Sequence, residues 1–310
     1  MIRYIVRRLI AMVPVLLGIA FIIFTIMNFT PGDPARLILG QSATAEAVEQ
    51  LRNELGLNEP FFSRFFKYIY DVITKLDFGT SYRTMKPVYD DIFVRFPVSI
   101  KLALCGMISS CIFGIPLGVL SAVKQYSKLD SITSVTAMTV VAMPPFWVAT
   151  MLILIFSLNL RWLPAAGANT WQHFVLPTIT LGLANGCSVL RITRSSMLET
   201  IRMDYVRTAK AKGVPHGLIV FKHALKNALL PVITTVGSIF GSLLGGAIVT
   251  ETVFSMQGLG TLIVLSIKSR DTPVVMASII LLAACYCVIM LFVDLMYAFV
   301  DPRIKARYAK

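Results

Sequence analysis

Six stretches of the chain stay apolar long enough to cross about 30 Å of hydrocarbon, a thickness that takes about 20 helical residues. They run over residues 9–29, 102–123, 132–160, 174–190, 228–250 and 272–300, and none of the first five contains a charged residue. The fourth is the shortest and is diluted by Asn185 and Ser188. The first exceeds the apolar core of a signal peptide and no small-x-small cleavage site follows it, so it is expected to stay as an anchor. The pattern predicts an all-α, polytopic membrane protein. Residues 1–310 are expected to form a single transmembrane domain of six spans, with long loops over 30–97 and 191–227.

Finer features sit on this frame. Pro144 and Pro145 fall inside the third run and predict a kink. Gly237, Gly241 and Gly245, with Gly246 beside them, give the fifth run a small-xxx-small face suited to close helix packing or to lining a path. In the first loop, residues 61–76 place Phe61, Phe62, Phe65, Phe66, Ile69, Val72 and Ile73 at largely helical spacing, so a helix at the outer interface is expected. Polar residues at membrane depth are the candidates for a translocation path: Thr178, Thr180, Asn185 and Ser188 in the fourth run, and Thr234, Thr235, Ser238 and Ser242 in the fifth. Each has a second use, bonding back to its own helix carbonyls. Glu251 ends the fifth run, where a carboxylate can meet a substrate amine or serve a structural ion pair.

Composition agrees with a bilayer as solvent, since 56% of residues are apolar and only 15% are charged, against about 25% charged in an ordinary soluble domain. The net charge of +13 raises nucleic acid as a partner until its placement is considered. With six spans, the two termini and the even loops carry seventeen Lys and Arg, and the short odd loops carry three. The positive-inside rule puts both termini in the cytoplasm, and the basicity is a topology signal read by anionic lipid or a cytoplasmic partner rather than by nucleic acid. Cys105, Cys111, Cys187, Cys285 and Cys287 all fall within the runs. Odd in number and without an oxidising loop, they read as small packing residues.

Several chemistries are excluded. No HExxH, GxSxG or GxxxxGK[ST] pattern occurs, so the chain has neither a hydrolase signature nor a P-loop of its own. The triplet Asp77, Phe78, Gly79 spells a kinase signature but stands without a glycine-rich loop or HRD segment. An ion-coupled carrier, the alternative from another class, keeps ionisable groups near the membrane midplane; here only Lys101 and Asp294 come close, both near interfaces.

Residues 191–227 read as helix, stop, helix. A short helix over 205–212 is expected with Asp204 as its N-cap, Gly213 in the left-handed position after it and Pro215 preventing continuation. On physics alone it is a basic helix lying on anionic lipid or a docking helix for a cytoplasmic partner. Tyr205, Val206, Arg207, Thr208, Ala209, Lys210, Ala211, Lys212 and Gly213, followed by His223, Leu225, Asn227, Leu230 and Pro231, resemble the EAA loop of ABC importer permeases in the peptide and nickel branch. Further matching fragments are 31–34 (PGDP), 55–57 with Pro60, 77–79 with Ser81, 162–164 with Gly167, Arg270 and Asp271 with Pro273, and 301–303. The resemblance covers the length of the chain and is to the B-type permease subunit of the dipeptide, oligopeptide and nickel importer family. Two departures stand out: Arg207 occupies the place of the motif's opening Glu, and Met256 and Gln257 stand before Gly258 where the family has Pro.

The resemblance implies a type I ABC importer permease fold in the bacterial cytoplasmic (inner) membrane. It implies a non-catalytic subunit that forms half of the pathway beside a second homologous permease, with two ATP-binding subunits and an extracytoplasmic binding protein. No cofactor is expected on this chain, ATP and Mg being used by the partners, and residues 205–213 are expected to enter an ATPase cleft. A bare-metal path asks for His or carboxylate ligands, whereas hydroxyl and amide linings tolerate variable side chains. Short peptides are therefore the expected cargo, with chelated nickel as the alternative.

Overall fold

The computed structural model describes residues 2–40 and 42–300; the 301–303 fragment and the basic residues after it lie outside them. The chain is 80% helical, and among the described residues the β structure is a single bridge between Thr80 and Pro87. Helix α1 covers Ile2–Phe29. The first loop folds into α2 (Pro34–Leu39), α3 (Ala45–Glu54) and α4 (Phe61–Lys75). Then come α5 (Val88–Val123), α6 (Lys128–Ala142) and α7 (Pro145–Leu152), the last prolonged by π-helical turns to Asn159. Helix α8 (Gln172–Ile201) leads through α9 (Asp204–Ala211) to α10 (His216–Leu218), which passes through π-helical turns into α11 (Leu225–Gly246). Helices α12 (Ile248–Val253), α13 (Leu259–Lys268) and α14 (Thr272–Val300) complete the chain.

Five segments are long and apolar enough to cross a membrane: α1, α5, α8, α10 with α11, and α14. A sixth exists if α6 and α7 count as one span, but these meet at 99°. The expected kink is thus a break. Met143 and Pro144 each precede a proline, whose ring disfavours the helical region for its predecessor, and both are extended, at ψ 130° and 133°. The fourth and fifth spans reach further than their apolar runs, α8 continuing past Leu190 to Ile201 and the fifth beginning at His216.

The chain divides into two compact units, residues 2–97 with 257–287, and residues 98–256 with 288–300. In the first, Ala20 and Phe24 of α1, Phe65 of α4 and Met276 of α14 form a small core. Phe61 and Phe65 lie 5.1 and 5.5 Å from the Phe24 ring, so one face of the expected loop helix docks on α1. Its opposite stripe, Phe62, Phe66, Tyr70 and Ile73, is exposed.

Three of the scattered fragments converge here. Asp77 accepts from the Gly79 N–H at 2.8 Å, and Gly79 turns the chain at φ 84°. Beyond that turn the Ser81 hydroxyl and the Tyr82 N–H (3.1 Å) both donate to the buried Asp271 carboxylate. Its neighbour Arg270 donates to the Pro31 carbonyl and packs its guanidinium on Gly32. The kinase-like triplet is therefore part of an extended turn that, with 31–34 and 270–273, ties the outer loops together.

In the second unit α5 and α8 cross at glycines. A Cβ on Gly114 would stand 2.6 Å from the Gly186 carbonyl, and one on Gly118 2.7 Å from that of Leu190. Residue numbers rise together along the crossing, from Gly106 against Leu181 to Gly118 against Thr193, so the two helices run parallel. The intervening α6 and α7 must then return the chain between them, which is the path of one broken crossing. Helix α11 runs antiparallel to α5: its Leu243 faces Gly106, while Val220, Ala224 and Ala228 pack with Val119, Ala122 and Met197.

Within this chain the expected seam on the fifth span is engaged at Gly237. Gly237 abuts Val293 of α14, whereas a Cβ on Gly245 would meet nothing within 4 Å.

Candidate functional site

The segment after α8 is built as a compact helical hook. Helix α9 starts at Asp204, one residue earlier than its sequence suggests: Met203 takes the extended N-cap position at ψ 148° and provides no side-chain cap, while Asp204 lies in the first turn. The far end is as expected. Gly213 adopts φ 76°, its N–H bonds the Lys210 carbonyl at 3.0 Å, and the Val214 N–H reaches back to that of Ala209 at 3.2 Å. That pair of bonds is the Schellman closure, which satisfies carbonyls the helix end would otherwise leave open. Pro215 then caps α10 in an extended conformation.

The faces of α9 are sharply divided. Val206 and Ala209 are buried against Ile219, with Val214 packed alongside. Tyr205, Arg207, Thr208, Lys210, Ala211, Lys212 and Gly213 are exposed. Val206 and Ala209 thus hold α9 against the segment that follows it. Tyr205 fastens the hook: its hydroxyl accepts from Asn227 Nδ2 at 2.7 Å and lies 3.4 Å from the His223 carbonyl. The two halves of the motif are linked by this contact. A Cβ on Gly213 would meet nothing within 4 Å, so Gly213→Ala carries only the left-handed backbone penalty of about 1 kcal/mol. The expected result is about fivefold faster amide exchange across residues 204–214, read by hydrogen–deuterium exchange, with global stability unchanged.

Ahead of the hook in the chain, α8 carries one partner of a largely buried ion pair that no motif signals. Arg194 of α8 forks onto Asp130 of α6 with Nε–Oδ1 2.7 Å and Nη2–Oδ2 2.9 Å. Ser121 of α5 donates to the same carboxylate, as does the Tyr126 N–H at 3.0 Å. Asp130 is 4% exposed. Three helices are joined at one carboxylate, 64 residues in sequence from its arginine.

Several of the expected path residues bond back to their own helices. Thr180 donates to the Leu176 carbonyl at 2.9 Å, Asn185 to Leu181 at 2.9 Å and Thr235 to Pro231 at 3.1 Å, each within its own helix. Thr234 and Ser242 do the same to Leu230 and Ile239. Thr178 and Ser188 are half-buried and Ser238 is exposed. Glu251 lies on α12 rather than at an open mouth, 1% exposed, with the Ser99 hydroxyl donating to it at 2.6 Å. Among the described residues no group of three or more His, Cys, Asp or Glu is placed to hold a metal.

Residues 114–306 match the family model described as the inner membrane component of binding-protein-dependent transport systems, and residues 1–103 match the N-terminal model of such components. The chain belongs to this family. Among its relatives, the dipeptide transport system permease protein DppB of Alkalihalophilus pseudofirmus is 42% identical, with 98% of this chain and 100% of that one aligned. The glutathione transport system permease protein GsiC of Escherichia coli K12 is 40% identical over 98% of this chain and 99% of its own. In fold, the permease resembles inward-facing structures of the MetNI methionine ABC transporter, with a TM-score of 0.55 and 18% identity over 66% of this chain and 93% of that one. The permease is therefore an all-α, multi-pass membrane subunit of type I importer fold. Family membership overturns the ion-coupled carrier alternative and implies work alongside ATPase and binding-protein components.

Proposed function

We propose that the permease forms half of the translocation pathway of an ATP-driven importer of short peptides in the bacterial inner membrane, beside a second homologous permease. Two partner subunits hydrolyse ATP with Mg, and an extracytoplasmic binding protein delivers the cargo. The observation that carries the cargo class is the end-to-end similarity to permeases named for dipeptide and glutathione transport; chelated nickel has no such support. The coupling element is the hook over residues 204–213. Helix α9 is closed at its end, fastened by Tyr205 and Asn227, and presents Arg207, Lys210 and Lys212 outward. A rigid helix anchored to both α8 and α11 transmits displacement to both.

Since the outward face does the contacting, charge reversal there is the test. Arg207→Glu combined with Lys210→Glu is expected to lower peptide uptake and ATPase co-purification about tenfold or more, while melting of the permease stays unchanged. Undiminished docking and uptake would reduce the segment to a helix lying on lipid.

A further inference from the structure

We propose that the first unit contains a binding site for the carboxylate end of a short peptide, built on Arg64 where it borders two cavities beside α1, α3 and α4. The ligand class rests on the peptide-importer reading; the site itself rests on Arg64. Its Nη1 donates to Asn28 Oδ1 at 3.0 Å and faces the Leu57 carbonyl at 3.5 Å, and its guanidinium lies 5.6 Å over the Phe24 ring. The head is therefore held from one edge and one face. Among the described residues no carboxylate pairs with it, and Nε and Nη2 meet no acceptor. These two donors form the side-on fork that matches a carboxylate in bidentate fashion.

The cavities measure about 180 and 170 Å³, and Arg64, Phe24 and Thr272 line both. Each is several times the roughly 30 Å³ share of a water molecule, room for a peptide end. Tyr68, one turn from Arg64 on α4, lines the larger cavity, and its buried hydroxyl has no hydrogen-bond partner. Burial raises this phenol above its ordinary range, so it stays a neutral donor. Glu59 and Asp71 also line that cavity, paired to Lys67 at 3.5 Å and Lys75 at 2.7 Å. In the smaller cavity Asp33 is paired to Arg52 at 3.9 Å, so each lining carboxylate has a basic partner, and the mixture of both signs suits a ligand that carries an amine as well as a carboxylate.

The test is calorimetric titration of tri-alanine into the assembled importer complex without its binding protein, with peptide uptake by the complete system measured in parallel. Saturable binding is expected, weakened about tenfold by Arg64→Gln and by about the same factor when wild type is given tri-alanine amide. The amide arm needs no variant, and Arg64→Lys, which keeps the charge and loses the fork, is expected to fall between. No saturable binding, or equal binding of acid and amide, overturns the site. Uptake that proceeds without such binding leaves peptide import standing, whereas absent uptake strikes the import reading instead.

Discussion

Replacing Arg194 by Ala is expected to lower the melting temperature of the purified permease by about 5–10 °C, and Asp130→Ala by at least as much. Removing one partner of a buried pair leaves the other charge uncompensated, at a cost of up to about 3–5 kcal/mol. Arg194 is partly accessible, its side chain 28% exposed against 6% for Asp130, so its removal leaves the worse-solvated charge, to which the Ser121 hydroxyl and the Tyr126 N–H still donate. Conversely Asp130→Ala strips the arginine fork and two further donors of their acceptor at once. The double variant Asp130→Leu with Arg194→Met is expected to recover most of the loss, because apolar groups of similar size remove the desolvation cost from both sides. A double variant no better than the worse single would show that the helices are held together by the ionic contact itself.

Comparable in size is the effect expected at the crossing of α5 and α8. Gly118→Val would drive side-chain atoms into the Leu190 carbonyl and Thr193, since a Cβ alone stands 2.7 Å from each. Backbone cannot yield as a flexible side chain does, so the helices must separate. Overpacking of this kind costs about 1–3 kcal/mol for a modest addition, and in lipid the loss is compounded because close approach is the main attraction between helices. Gly114→Ala, at 2.6 Å from the Gly186 carbonyl, should behave similarly and Gly245→Ala should not. Yield of monodisperse protein and melting in detergent check all three; equal stability of Gly118→Val and wild type would refute the crossing.

Much of this was legible in the chain. Long uncharged runs placed the spans because hydrocarbon tolerates no unpaired backbone, and Gly213 with Pro215 marked the end of α9 because one permits a left-handed residue and the other forbids continuation. The glycine seam is legible in principle as well: Gly114 with Gly118 and Gly182 with Gly186 are both GxxxG pairs, although the tandem at 237–245 is longer. Composition cannot say which helix a small-residue face will meet. The pairing of Asp130 with Arg194 was invisible because both residues sit among loop charges that read as topology. Val206 and Ala209 turn inward for a reason local to the fold, namely that Ile219 lies beneath them. The path residues remained ambiguous because a hydroxyl that can line water can equally bond the carbonyl one turn back, and here several do.

The most direct test of the account is uptake of labelled peptide into liposomes holding this permease, its homologous partner and the ATPase subunits. Uptake is expected only when the binding protein is present outside and ATP with Mg inside. The same uptake by this chain alone, without ATP, would contradict it.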